Sequence, residues 1–132
     1  YGKQAVDADA TFQADITGSY ELNDKVSLGV NASYNETMNA GGFYGAAIYP
    51  AVALKDGFDA GLRVEYFKEL EAGGVAYGAG NSVIDATLTT SYTTKDLRLI
   101  AELRLDQSST AQFNSMTSDQ LSSFILAAVY SF

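Results

Sequence analysis

Asp15, Arg63, Glu65, Asp85, Arg98, Glu102, Arg104 and Asp106 are the side chains whose types and spacing could do chemistry together. Arg63-Val64-Glu65 and Glu102-Leu103-Arg104-Leu105-Asp106 repeat charges at every second position, which puts them on one face of a strand. A mixed wall of acids and arginines can polarise water, select a charged solute, or pair with itself to hold a wall in shape. The residue types form no catalytic constellation. The chain has no His and no Cys, so neither a Ser-His-Asp relay nor a disulfide or thiolate metal site can form. Asp85 and Asp106 come close in simple hairpin register, where a carboxylate pair could hold a cation; a chance cross-strand neighbour is the commoner origin of such a pair. Gly73-Gly74 and Gly78-Ala79-Gly80 lack the strand-to-helix context of a phosphate cradle. No catalytic, cofactor or metal residue is therefore assigned, and the chain is not expected to be an enzyme. Its formal net charge of -8 argues against nucleic acid as a partner.

The elements that must position these charges are strands. Phe12, Ala14, Ile16, Gly18, Tyr20 and Leu22 alternate with Gln13, Asp15, Thr17, Ser19 and Glu21, and the same parity reaches back through Val6 and Ala8 to a start near Ala5. Val26 to Asn35 and Phe58 to Phe67 alternate in the same way, as do Ser82 to Thr93, Leu97 to Asp106 and Gln120 to Phe132. Phe43 to Leu54 is interrupted by Pro50, which deletes a ladder donor; a bulge there would reverse the sides of Ala51 to Ala53. This predicts about seven antiparallel strands in one domain, residues 1–132, joined as a meander. Simple hairpin register sets Thr87 near Arg104, Thr89 near Glu102 and Tyr49 near Arg63. Short charged turns at Asn23-Asp24, Lys55-Asp56-Gly57 and Lys95-Asp96 alternate with longer connections at Glu36 to Gly42, Glu71 to Asn81 and Ser109 to Asp119.

Composition indicates where such a sheet sits. Apolar residues make up 47% of the chain, yet mean hydropathy is only -0.02. No run approaches the ~18 apolar residues of a membrane-spanning helix. Alternating transmembrane strands satisfy both facts, since every second residue faces lipid. Tyr20, Phe58, Tyr92, Tyr130 and Phe132 sit near the short turns, and Phe12, Tyr34, Tyr44 and Tyr66 near the long connections, as two interfacial girdles would. The opposite parity carries the charges. A dry core would hold so many only at a cost of roughly several kcal/mol for each unpaired ion, whereas a hydrated lumen holds them readily. Leu103 is expected to face lipid and Arg104 the interior, with replacement of Arg104 the milder change. Arg63 and Arg104 are expected to anchor Glu65 and Glu102, or an anionic group on a solute.

The chain closes on Phe124-Ile125-Leu126-Ala127-Ala128-Val129-Tyr130-Ser131-Phe132. An aromatic at the last position and another two before it resemble the insertion signal of bacterial outer-membrane β-barrels; Ala127 and Ile125 depart from the Gly and polar residue usual there. Three further segments resemble the C-terminal part of β-barrel porins of the OmpL-like type. They are Tyr20-Glu21-Leu22-Asn23-Asp24-Lys25-Val26-Ser27-Leu28-Gly29, Arg63-Val64-Glu65-Tyr66-Phe67 and Glu102-Leu103-Arg104-Leu105-Asp106. The resemblance implies an antiparallel transmembrane β-barrel in the bacterial outer membrane, with short turns and C-terminus on the periplasmic side. It implies passive diffusion of small solutes through a channel, whose lumen the eight charged residues named above are expected to line by their parity. It implies outer-membrane lipid as a partner, and barrel-insertion machinery that reads the C-terminal strand.

Seven is an odd number for a single-chain barrel, and porins of this type are longer. The chain is therefore expected to be part of a larger barrel, or to complete one with other chains or as a homo-oligomer. It begins at Tyr1 with no signal-peptide core, as expected of a mature or partial chain. A small eight-stranded barrel is the alternative fold. The alternative role is a structural or interaction component of an envelope complex, without transport. A soluble ligand-binding barrel or sandwich is a third reading, excluded if Leu97, Leu99, Leu103 and Leu105 face lipid.

Overall fold

The computed structural model describes residues 1–3, 9–72 and 76–132. Every regular element among them is a strand, and none is a helix. The strands are β1 (Gly2–Lys3), β2 (Ala10–Asn23), β3 (Val26–Thr37), β4 (Gly41–Ala53), β5 (Phe58–Glu69), β6 (Ser82–Thr94), β7 (Leu97–Ser108) and β8 (Gln120–Tyr130). They lie in one sheet in chain order, every neighbouring pair antiparallel. The sheet is an open meander, with β8 at one edge and the short β1 at the other. The seven long strands are those read from the sequence; β1, pairing Gly2 with Thr11 and Lys3 with Ala10, is an addition. An origin of the first long strand near Ala5, with Val6 and Ala8 in its parity, falls on residues 4–8, outside the described residues. Each of β2–β8 has 11 to 14 residues. That meets or exceeds the ~9–11 that a tilted strand needs to cross a bilayer.

Period-two alternation becomes two chemically distinct faces. Register aligns one row as Leu62, Leu88, Leu103 and Phe124, and another as Val30, Ile48, Val64, Ala86 and Leu105. This apolar face is the exposed one: Leu62, Leu88, Leu99 and Leu103 are 42–46% exposed and Leu126 is 71%. The opposite face buries Ala47, Val83, Asp85, Thr87, Ser91, Asp106 and Ser108. A one-layer sheet buries one face only by curling toward it and laying loops across it. Large apolar residues on the convex side with polar ones inside invert the arrangement of a water-soluble sheet and suit lipid outside. Aromatic pairs reinforce both ends of the apolar face. Phe12–Tyr34 and Tyr44–Tyr66 centroids are 6.1 Å apart toward the long loops, and Phe58–Tyr92 4.5 Å apart toward the short turns.

Two local expectations change. Pro50 causes no bulge: the β4–β5 ladder skips Tyr49 and Pro50, then resumes at Ala51 and Gly61 in unchanged register, while the β3–β4 ladder runs through. Ala51 to Ala53 therefore keep the parity they have without a bulge. The register shift lies instead between Glu21 and Asn23. There the Asn23 side chain accepts the N–H groups of Lys25 and Val26 at 2.9 and 3.0 Å and closes the turn. The connection expected over Glu36 to Gly42 shrinks to residues 38–40, because β3 runs on to Thr37 and β4 starts at Gly41. Asn39 adopts φ 62° and Gly41 φ 81°, the left-handed values a tight reversal demands.

Candidate functional site

The buried end of the polar face carries the candidate site. Two adjacent rows cross β5, β6 and β7: Glu65, Asp85 and Asp106 in one, Arg63, Thr87 and Arg104 in the next. Asp85 and Asp106 face each other directly and are almost fully buried. Two buried carboxylates side by side repel strongly unless a cation lies between them. Arg104 supplies it. Its Nε donates to both carboxylate oxygens of Asp106 at 2.9 and 3.1 Å, and its Nη2 donates to Asp106 at 2.7 Å and to Asp85 at 3.5 Å. The fork geometry of the guanidinium permits this double duty, which a lysine could not reproduce. Arg63 makes an ion pair with Glu65 and lies 5.9 Å from the Tyr49 ring centroid, a cation–π distance.

The Thr87–Arg104, Thr89–Glu102 and Tyr49–Arg63 neighbours inferred from hairpin register are present. The anchoring of Glu102 by Arg104 is not. Arg104 turns one row the other way, to Asp106 and Asp85, and Glu102 instead accepts from the Thr89 hydroxyl at 3.1 Å. The reason is opportunity: two buried acids in one row attract the guanidinium more strongly than one part-exposed acid in the other. Arg98 lies outside this cluster and donates to Ser91 at 3.1 Å, which reaches Asp59 at 3.4 Å. Asp15 shares the face but sits far along the sheet, on β2, where it accepts from Ser33 at 2.6 Å and from Gln13 at 2.8 Å. All eight charged residues singled out from the sequence thus project from one face; Arg63, Glu65, Asp85, Arg104 and Asp106 are brought together. No cluster of metal-ligating type occurs among the described residues.

Two features escape a sequence reading. Glu69, wholly buried, continues the parity of Glu65 and Phe67 beyond the expected end of its strand, so extended alternation could have found it. Tyr77 comes from the long loop after β5 and packs its ring on Phe67; no local pattern marks it. The inner face of β8 also departs from a polar lining, since Leu121, Ile125 and Val129 are 46–53% exposed on it.

A single antiparallel sheet with an apolar outer face, aromatic girdles and a charged, buried inner face defines a porin-like β-barrel protein. The family model described as "Putative beta-barrel porin-2, OmpL-like" matches residues 1–132, and the chain belongs to that family. No curated protein and no solved structure that was compared matches it.

Proposed function

We propose that this chain forms part of the wall of a bacterial outer-membrane channel through which small solutes diffuse passively. One observation carries the reading: the sheet turns its large apolar side chains outward and its arginines and carboxylates inward. That arrangement gives lipid one surface and water the other. Asp15, Arg63, Glu65, Asp85, Arg98, Glu102, Arg104 and Asp106 line the water side. Outer-membrane lipid contacts the outer face, and insertion machinery engages β8 and its terminal aromatics. The free edges of the meander are closed by further strands or by copies of the chain, because unpaired strand edges are not tolerated in hydrocarbon.

Inner residues Leu121, Ile125 and Val129 favour a second reading, in which the barrel is an envelope-complex component whose interior is covered rather than conducting. Planar bilayers separate the two. Intact protein that folds, as judged by heat-modifiable electrophoretic mobility, should give discrete conductance steps. Folded but silent protein would remove the channel and leave the structural component.

A further inference from the structure

Ala76 and Tyr77, in the connection between Glu69 and Ser82, lie against the sheet. Tyr77 lies over the charged face, its ring edge-on to Phe67 with centroids 5.8 Å apart. Phe67 itself stacks on Phe43 at 5.4 Å, and both share the parity of the inward charges. A fixed clasp holds Tyr77 in this position. The wholly buried Glu69 carboxylate accepts the backbone N–H groups of Ala76 and of Tyr77, the latter at 2.7 Å. Asn81 donates its side-chain amide to the Tyr77 carbonyl at 2.7 Å. A buried carboxylate is tolerated when charge-assisted hydrogen bonds replace its water, so the clasp and the inward placement of Ala76 and Tyr77 stabilise each other.

We propose that Tyr77 is the residue that sets the size limit of the passage, with Glu69 positioning it. This rests on the channel reading. A ring laid over the wall at Phe67 narrows the water-filled cross-section and presents a hydroxyl to polar solutes, and wide solutes are turned back at that level.

Conductance of the intact protein in planar bilayers tests this, with uncharged polymers of graded size as probes. Tyr77→Ala should raise unit conductance by about twofold or more and admit larger polymers, because the cross-section widens. Glu69→Ala should free the loop and make the current noisy, whereas Met116→Ala, at the exposed tip of the other long loop, should behave as wild type. The chain has no native Cys, so Tyr77→Cys offers a single thiol. Thiol reagents of increasing bulk should then lower the current in steps. A conducting wild type whose conductance and polymer limit survive Tyr77→Ala, and whose Tyr77→Cys form ignores the reagents, would overturn the proposal and leave the channel standing. Folded wild type and Tyr77→Ala that are both silent would overturn the channel reading and this proposal with it.

Discussion

At the scale of the residue, Arg104 has most to explain. Alternation alone makes it one more inward charge and its replacement milder than a charge placed in lipid. In the fold it bridges two buried acids that face each other. Removing it leaves both carboxylates uncompensated, a loss that costs about 3–5 kcal/mol for a fully buried pair. The Arg104 side chain is 34% exposed, so Arg104→Gln is expected at or below the lower end of that range. Urea unfolding of the protein in lipid checks the value. Asp106→Asn added to Arg104→Gln should recover a good part of the loss, since it removes one of the repelling charges. No recovery would mean that the bridge is not what Arg104 contributes.

At the scale of the element, parity and hairpin geometry govern. Leu103 sits mid-strand on β7, its register partners Leu88 and Phe124 sharing the apolar outer face. Leu103→Arg is expected to cost ~2–4 kcal/mol in a folding titration in bilayers. A cost near zero would place Leu103 on the water side and shift the register by one. Gly42 tests a different constraint. A Cβ at that position would lie 1.9 Å from the Asn35 carbonyl oxygen, on the backbone of the paired strand. Backbone cannot move aside as a flexible side chain can, so Gly42→Ala must open the β3–β4 pair where Leu70 also bonds to the Gly42 carbonyl. A loss of about 2 kcal/mol or more is expected, visible as a lowered unfolding midpoint.

At the scale of the whole molecule, the inner wall carries an excess of negative charge. Asp15, Glu21, Asp59, Glu65, Glu69, Asp85, Glu102 and Asp106 outnumber Arg63, Arg98 and Arg104 on that face. A conducting lumen with this wall should favour cations weakly, because salt screens the charges over about 8 Å at physiological ionic strength. Reversal potentials under a salt gradient report the preference. It should fade near 1 M salt, where the screening length falls to about 3 Å. Strong anion selectivity would show that the arginines, or wall contributed by other strands, control passage.

The strands, their two faces and the girdles were legible in the sequence because they depend on a period of two, which each short segment carries for itself. Even the pairing of Thr87 with Arg104 followed from turn position. What the sequence left open was decided by contacts between distant segments. Register brings Cα atoms opposite, but the side-chain torsions of Arg104 choose Asp106 and Asp85 over Glu102, and that choice follows burial, which only the curled sheet creates. The continuous register past Pro50 likewise depends on the unbroken β3–β4 ladder, which carries β4 across the gap in its pairing with β5. Tyr77 reached the inner face because a buried Glu69 accepts hydrogen bonds from a loop that local propensity leaves undirected. Tertiary structure had to decide these points, since each sets the energy of a charged or polar group by what surrounds it in space.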